Sequence, residues 1–462
     1  METDKAENRC LNHPRFFESW IVVDKRFTRV EIYHNYSSGD RFQTFSGIDV
    51  NTSFSLASSI ALLDSRKFYS KLGATFEPGL MNQILLPKPG VKLIRFTGGS
   101  YDVPSLPSLE VKKIFEEASP QAWAEMLQYG GTNGMPSLLK ELSTFMAGHK
   151  IKADPSKEII VTTGSQEAID LVTRVFIDKG DIILVGAPTY LQALSAFKQR
   201  SPRFVDIPID FDGMDIDALE EKIKKLKTAG KNAKMLYIIP SFQNPDSSLM
   251  TMERRMQVLE IAERQDFIIF EDNPYGYISF EGQMPTPLAG LDKSGRVMYT
   301  STFSKIVSPG MRIGWITGNH ELISHMSEAK GNISICNDGL SQYAAAELFR
   351  RGHVEKQILK VTKVYRKKRD VMLEAMETSF PRKAKWNEPK GGLFLWVKFP
   401  RDFNTDEVLK DAVAKGIAYV PGSPFFTKPI HNYIRLNYSL PSEEEIVSGI
   451  QVLGKLLKEK LQ

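Results

Sequence analysis

The sequence predicts an α/β protein, with a large domain built on a mainly parallel sheet between helices and a smaller α+β domain. Three observations carry this. From about Arg66, near-continuous apolar runs of strand length alternate with amphipathic runs of helical period, the pattern of a parallel sheet covered on both faces. The chain has 462 residues, more than the roughly 250–300 that one core supports, so a second core is expected. After about Gln342 a long helical stretch rich in Lys and Arg leads into mixed strands and helices, which fits a separate α+β unit.

The elements follow in chain order. Residues 1–65 mix aromatics (Phe16, Phe17, Trp20, Tyr33, Tyr36) with polar residues and keep no sustained period. Within them, Glu18 to Ile32 alternates in part and fits a hairpin. The segment reads as an extension upstream of the domain. Residues 66–115 are expected to supply an N-terminal arm and part of the small domain, 116–340 the large domain, and 341–462 the connecting helix and C-terminal small domain. In the large domain, Glu158–Ser165 is a strand entering a Gly-Ser turn, and Glu167–Ile177 has apolar positions at helical spacing. Strands are expected in Asp181–Tyr190, Lys234–Pro245, Phe267–Tyr275 and Arg296–Lys305, with helices at Ala193–Phe197 and Glu253–Glu263. Gly391–Phe399 and Tyr433–Ser439 read as strands of the small domain, with a helix at Thr405–Lys415.

Composition excludes several classes. Hydrophobic residues at 42% and charged residues at 25% are ordinary for a globular protein and argue against wholesale disorder. A net charge of +5, spread over the chain, does not make the concentrated basic face that a nucleic acid requires. Cys10 and Cys336 make neither a disulfide framework nor a zinc spacing. No metal is expected, and the reading is a reducing compartment, with the cytoplasm the default. No run approaches the ~18 apolar residues of a membrane helix, and the short apolar stretch Phe54–Leu63 lies too far from the start for a signal peptide.

Ligands of parallel sheets sit at the carboxyl ends of the strands. The polar residues there are Gly164-Ser165-Gln166, Pro188-Thr189-Tyr190, Asn244-Pro245, Asp272-Asn273-Pro274-Tyr275 and Ser304-Lys305. A lysine at a strand end is most often a solvated charge. Lys305, however, has hydroxyls at Thr302 and Ser304 and a guanidinium at Arg312 close in sequence. Hydroxyls and arginine are what a phosphate ester demands, and a lysine beside a phosphate site can form an imine with a bound aldehyde. Asp272 ends an apolar strand, where a carboxylate is costly unless paired. A helix cap is the alternative, but an ionised Asp is also what a pyridinium nitrogen needs. Tyr275 and Asn244 could bond a ring oxygen. Ser165 and Gln166 open a helix after a glycine, a position that binds phosphate through free amides. Tyr190 offers a face for a planar ring, with a core role equally open.

Taken together, the motifs "LQYGGTNG" (Leu127–Gly134), "TTGSQEAIDL", "APTY", "QNP", "EDNPYG", "TFSKIVSPGMRIGW", "GGLFLW" and "IRLNYS" resemble those of the fold-type-I pyridoxal 5'-phosphate (PLP) aminotransferases of class I/II. The resemblance runs from about Phe68 to the C-terminus and is nearest the kynurenine/2-aminoadipate/aromatic (LysN-like) branch. It implies the fold-type-I PLP-transferase architecture and an aminotransferase that moves an amino group from an α-amino acid of aromatic, 2-aminoadipate or branched-chain type to a 2-oxo acid, 2-oxoglutarate foremost, in ping-pong fashion. It also implies roles. Lys305 would carry the cofactor covalently and act with Asp272 and Tyr275 in catalysis. Asp272 would pair with the pyridine nitrogen, Asn244 and Tyr275 would hold the ring oxygen, and Tyr190 would stack on the ring. Ser165, Gln166, Thr302, Ser304 and Arg312 would bind the phosphate. Tyr129 would reach the phosphate of a neighbouring subunit, which implies a homodimer with shared sites. Arg435 would clamp the substrate carboxylate, with Asn244 and Gly99 beside it. Asp246-Ser247 departs from the Thr-Gly or similar pair usual after Asn-Pro, and residues 1–65 have no counterpart in the family. Two alternatives stand beside this reading: another PLP reaction, such as a lyase, and a transcription regulator with an aminotransferase-like domain.

Overall fold

The computed structural model describes residues 19–24, 29–34, 65–76 and 92–461. The chain divides into two compact units, Met1–Phe76 and Glu77–Gln462. The first contains an antiparallel hairpin of β1 (Ser19–Asp24) and β2 (Arg29–His34), paired with Trp20 opposite Tyr33 and Ile21 opposite Ile32. This is the expected hairpin, extended by two residues at its C-terminal end.

The second unit begins its described part with the short strand β3 (Ile94–Arg95). Its main sheet has eight strands: β4 (Ile159–Thr163), β5 (Ile182–Ala187), β6 (Arg203–Asp210), β7 (Gly213–Met214), β8 (Met235–Ile238), β9 (Ile268–Asp272), β10 (Val297–Thr302) and β11 (Ile313–Thr317). Their order across the sheet is β4-β11-β10-β9-β8-β5-β6-β7. Only β7 and β11 run against the rest. The central strands are buried throughout because helices cover both faces. One face packs Ile169, Val172 and Phe197 against Val185 and Tyr237, and the other packs Leu219, Val258 and Ile261 against Leu184 and Ile269. That two-sided burial is why these strands read as continuous apolar runs.

Four further strands form a second sheet, ordered β12 (Lys385–Trp386), β13 (Phe394–Lys398), β16 (Tyr433–Asn437), β15 (Val420–Pro421). The remaining strand, β14 (Ile417–Ala418), pairs in parallel with β3, so the 92–105 segment packs with the C-terminal part of the chain. The two sheets are linked by a 27-residue helix, His353–Ser379. Its charged surface hides a buried stripe of Val354, Val361, Tyr365, Met372 and Met376, which is the helical period expected of a helix lying on a core. Among the described residues no helix is long and apolar enough to cross a membrane, and no cluster of His, Cys, Asp or Glu could hold a metal.

Candidate active site

A cavity of about 310 Å3 opens at the carboxyl ends of β4, β5, β9 and β10. Lys305, Asp272, Tyr275, Tyr190, Ser165, Gln166, Thr302, Ser304, Arg312 and Gly99 all line it.

Each side chain is placed by a local cause. Asp272 is the last residue of β9 and sits between β8 and β10, fully sequestered. Its Oδ2 accepts a hydrogen bond from the Tyr237 hydroxyl at 2.8 Å, while its buried Oδ1 has no partner. Burial pushes this carboxyl up to about 7, opposed by the Tyr237 hydrogen bond and the nearby Lys305. An orphaned acceptor on a buried carboxylate is costly, and a ring N–H would satisfy it. Lys305 follows β10 in a turn stapled by Thr302, whose Oγ1 donates to the Ile313 carbonyl at 3.0 Å and accepts from the Ser304 amide at 3.1 Å. The Lys305 Nζ donates to the Gly99 carbonyl at 2.7 Å. Burial first, then Arg435 and Arg312, push its amine down to about 8.

The phosphate side is built from β4 and the helix Ser165–Phe176. Gly164 precedes that helix at φ 73°, and no side chain caps it. A Cβ at Gly164 would lie 2.6 Å from Arg312 Nη2, so only glycine lets the guanidinium come this close. Arg312 donates to the Thr163 carbonyl at 2.8 Å and to Ser304 Oγ at 3.5 Å. The guanidinium, two hydroxyls and the open helix terminus form one anion cradle.

On the other side, Asn244 donates from Nδ2 to the Tyr275 hydroxyl at 3.3 Å, and its Oδ1 accepts from Arg435 Nη1 at 2.7 Å. Arg435 also donates to the Thr97 carbonyl, and its Nε is buried without a partner. Its guanidinium lies 4.1 Å over the Phe394 ring and 5.1 Å over Phe425. Burial pushes it down to about 10. Burial also raises the Tyr190 and Tyr275 hydroxyls, so both stay protonated donors.

The pattern of the family "Aminotransferase class I and II" matches residues 91–453. The chain belongs to this family. It is 40% identical to aromatic-amino-acid aminotransferase 1 of Thermococcus litoralis, over 87% of this chain and 96% of that protein. It is 32% identical to the 2-aminoadipate transaminase of Thermus thermophilus, over 81% and 92% respectively. Among solved structures, the Pyrococcus horikoshii kynurenine aminotransferase superposes with a TM-score of 0.82 at 37% identity, covering 86% of this chain and 99% of that one. The fold is thus fold type I, the reaction class is amino-group transfer, and PLP is the cofactor.

In this aminotransferase the cavity lining takes in the sequence-predicted site residues other than Asn244, Arg435 and Tyr129, and Asn244 and Arg435 are joined to the lining residue Tyr275 by a chain of hydrogen bonds. Tyr129 is 77% exposed and lies outside the cavity. The loop after it is nevertheless fixed from behind: Lys330 donates to the Thr132 carbonyl and Ser327 to Asn133 Oδ1. Several contributors were not foreseen. Tyr237 supports Asp272 from within an apolar strand. Gln192 takes the Tyr190 hydroxyl, and Ile239 adds an apolar wall. A tyrosine in an apolar strand carries no sequence mark that separates it from core. The Thr97 carbonyl, which takes Arg435, is a backbone group that no residue-type argument reveals, and at Gly99 the resemblance named the residue but not its carbonyl as the partner of Lys305.

Proposed function

We propose that the protein is a homodimeric PLP-dependent transaminase, working in the cytoplasm, that carries an amino group from an aromatic, 2-aminoadipate-type or branched-chain amino acid to 2-oxoglutarate. The observation that carries the reading is the pairing, in one cavity, of a desolvated lysine amine with a buried carboxylate whose Oδ1 is free. The relatives act, by their names, on aromatic amino acids, 2-aminoadipate and kynurenine, which supports a broad donor class that spans aromatic and acidic side chains.

Bound here, PLP supplies an electron sink that acidifies the α-proton of an amino acid joined to it. The chain's residues do the rest. Arg312, Ser304, Thr302 and the amides at Ser165 and Gln166 would hold the phosphate. Asp272, once ionised, would keep a proton on the ring nitrogen, with its unpartnered Oδ1 as the acceptor. Asn244 and Tyr275 would supply donors for the ring oxygen, and Tyr190 and Ile239 would give the ring apolar walls. Arg435 uses two of a guanidinium's five donors on Asn244 and Thr97. The others remain for a substrate carboxylate, the bidentate geometry that fixes orientation. Lys305, with an amine near neutral pH, takes the proton from the substrate α-carbon and returns it one position away. The two substrates then occupy the same seat in turn, so kinetics are ping-pong. Tyr129 reaches into the site of the second copy, consistent with its exposure and its braced loop.

The test is a panel of amino donors with 2-oxoglutarate, read as glutamate formed. Donor alone should convert the cofactor to its stable amine form. Release of ammonia or carbon dioxide in place of that conversion would make the protein a lyase or decarboxylase.

A further inference from the structure

Asp246 and Ser247, the pair at which the sequence departs from its family, take no part in the chemistry above. Ser247 sits at φ 54°, in the left-handed region that glycine enters freely and a residue with a Cβ enters at a cost. Its buried hydroxyl donates to the Phe394 carbonyl at 2.8 Å. Phe394 begins β13, in the other sheet, and its ring touches three parts of the site. It lies 4.1 Å beneath the Arg435 guanidinium, meets Tyr275 edge-on at 5.6 Å, and stands 3.1 Å from where a Cβ on Gly99 would be.

Asp246 braces the same turn. Its Oδ1 accepts from the Ser248 amide at 3.1 Å, the Ser248 hydroxyl at 3.0 Å and Gln243 Nε2 at 3.0 Å. Its carbonyl accepts from Asn387, whose Oδ1 takes the amide of Trp396 at 3.0 Å. Trp396 stands directly across the strand pair from Arg435. At the neck of the loop, buried Arg255 donates to the Pro240 carbonyl at 2.8 Å, Ser241 Oγ at 2.9 Å and the Met250 carbonyl at 3.0 Å. Asn244 rides on this clamped loop, between the neck and the docked tip.

We propose that Ser247, with Asp246 bracing its turn, is a positioning residue for carboxylate binding: its hydroxyl docks the Asn244 loop onto β13 and fixes Phe394 beneath Arg435. The inference rests on Arg435 being the carboxylate clamp. A role in backbone shape alone makes the opposite forecast, because glycine would relax φ at 247 and improve the turn.

The experiment compares Ser247→Gly and Ser247→Ala in the full-length PLP-loaded protein. Steady-state kinetics use 2-oxoglutarate with the donor that wild type turns over fastest, beside thermal midpoints and PLP dissociation constants. Both variants lose the hydroxyl, so both should raise KM for donor and oxo acid roughly three- to tenfold, the worth of one hydrogen bond. The kcat and the PLP dissociation constant should stay within about twofold of wild type, and the glycine variant should melt above the alanine variant. Wild-type KM in Ser247→Gly overturns the proposal, as does a change confined to Ser247→Ala. If wild type fails to transaminate, the proposed function falls separately. The docking contact is then read from the crystal structure of Ser247→Gly, where Phe394 and Arg435 in wild-type positions would overturn it.

Discussion

Asp272→Asn should stabilise the cofactor-free protein while crippling the loaded enzyme. The native carboxyl is fully buried, takes one hydrogen bond from Tyr237, and leaves Oδ1 unpaired. Its pKa lies at about 7 in the folded chain against 3.8 as a free side chain. A carboxyl raised on folding contributes stability that is fully present below its unfolded value and is lost as pH rises through its folded value. The difference corresponds to about 4 kcal/mol above pH 7, of which about 2.5 kcal/mol develops between pH 5 and pH 8. Asparagine has nearly the same shape and no charge. At pH 5 about 1.5 kcal/mol is already lost because the unfolded carboxyl is ionised, and the amide's own unmet partners offset about as much, so the two proteins should differ little. At pH 8 the variant should be more stable by about 2 kcal/mol, after allowing for an amide that must find its own partners. The assay is urea denaturation of both cofactor-free proteins at the two pH values. With PLP, the ring nitrogen loses its charged partner, so turnover should fall by orders of magnitude and PLP should bind more weakly. Near-normal turnover, or a variant less stable than native at pH 8, would refute the reasoning.

Three other predictions are direct. Borohydride reduction of the loaded protein should fix the cofactor to Lys305, and Lys305→Ala should bind PLP yet not turn over; peptide mapping that finds the adduct on another lysine defeats the assignment. In a hybrid of Tyr129→Phe and Lys305→Ala chains, the site with an intact lysine takes its tyrosine from the other chain and should recover wild-type PLP affinity. Affinity no better than that of the Tyr129→Phe homodimer removes Tyr129 from the shared site. Arg435→Lys should slow both half-reactions in single-turnover kinetics, with a loss on the order of 3 kcal/mol or more, because lysine lacks the planar fork; damage to one half-reaction alone would show that the two substrates do not share the clamp.

Much of this was legible in the sequence because buried parallel strands leave a plain signature. The strands β4, β5, β8, β9 and β10 all fall inside their predicted stretches, and their polar carboxyl ends supplied the site. What escaped had physical reasons. The β11 strand begins at the end of the motif that contains Lys305 and runs antiparallel between β10 and β4; periodicity records burial, not direction. The β6 strand is only half-buried, so its apolar signal is diluted by Asp206 and Asp210. The helix after Gly164 starts at Ser165, as the Gly-Ser turn implied, although its apolar period begins two residues later because its first turn faces the cavity. Ser247 shows the limit most clearly. Its identity was visibly unusual, but its partner is a backbone carbonyl 147 residues away, and no local pattern encodes that contact.

The charges of the site have a logic that the sequence could state only as a set of residue types. Lys305 is held down by burial and by the positive potentials of Arg435 and Arg312, in that order, while Asp272 pulls the other way. Each arginine is the proposed seat of an anion: phosphate at Arg312, carboxylate at Arg435. Seating an anion cancels the potential of that arginine at the lysine but leaves the burial unchanged. The proton affinity of the amine therefore rises stepwise as the site fills and falls as it empties. In the empty site, with the amine pushed down to about 8, a sizeable minority is neutral near physiological pH, which is the form able to attack a carbonyl. With phosphate and carboxylate both seated, the same amine is a stronger base, which suits the removal of an α-proton. In the proposed roles the two arginines would hold the cofactor phosphate and the substrate carboxylate and would also match the basicity of Lys305 to the stage of the reaction, a coupling that follows from the potentials of both at one buried amine.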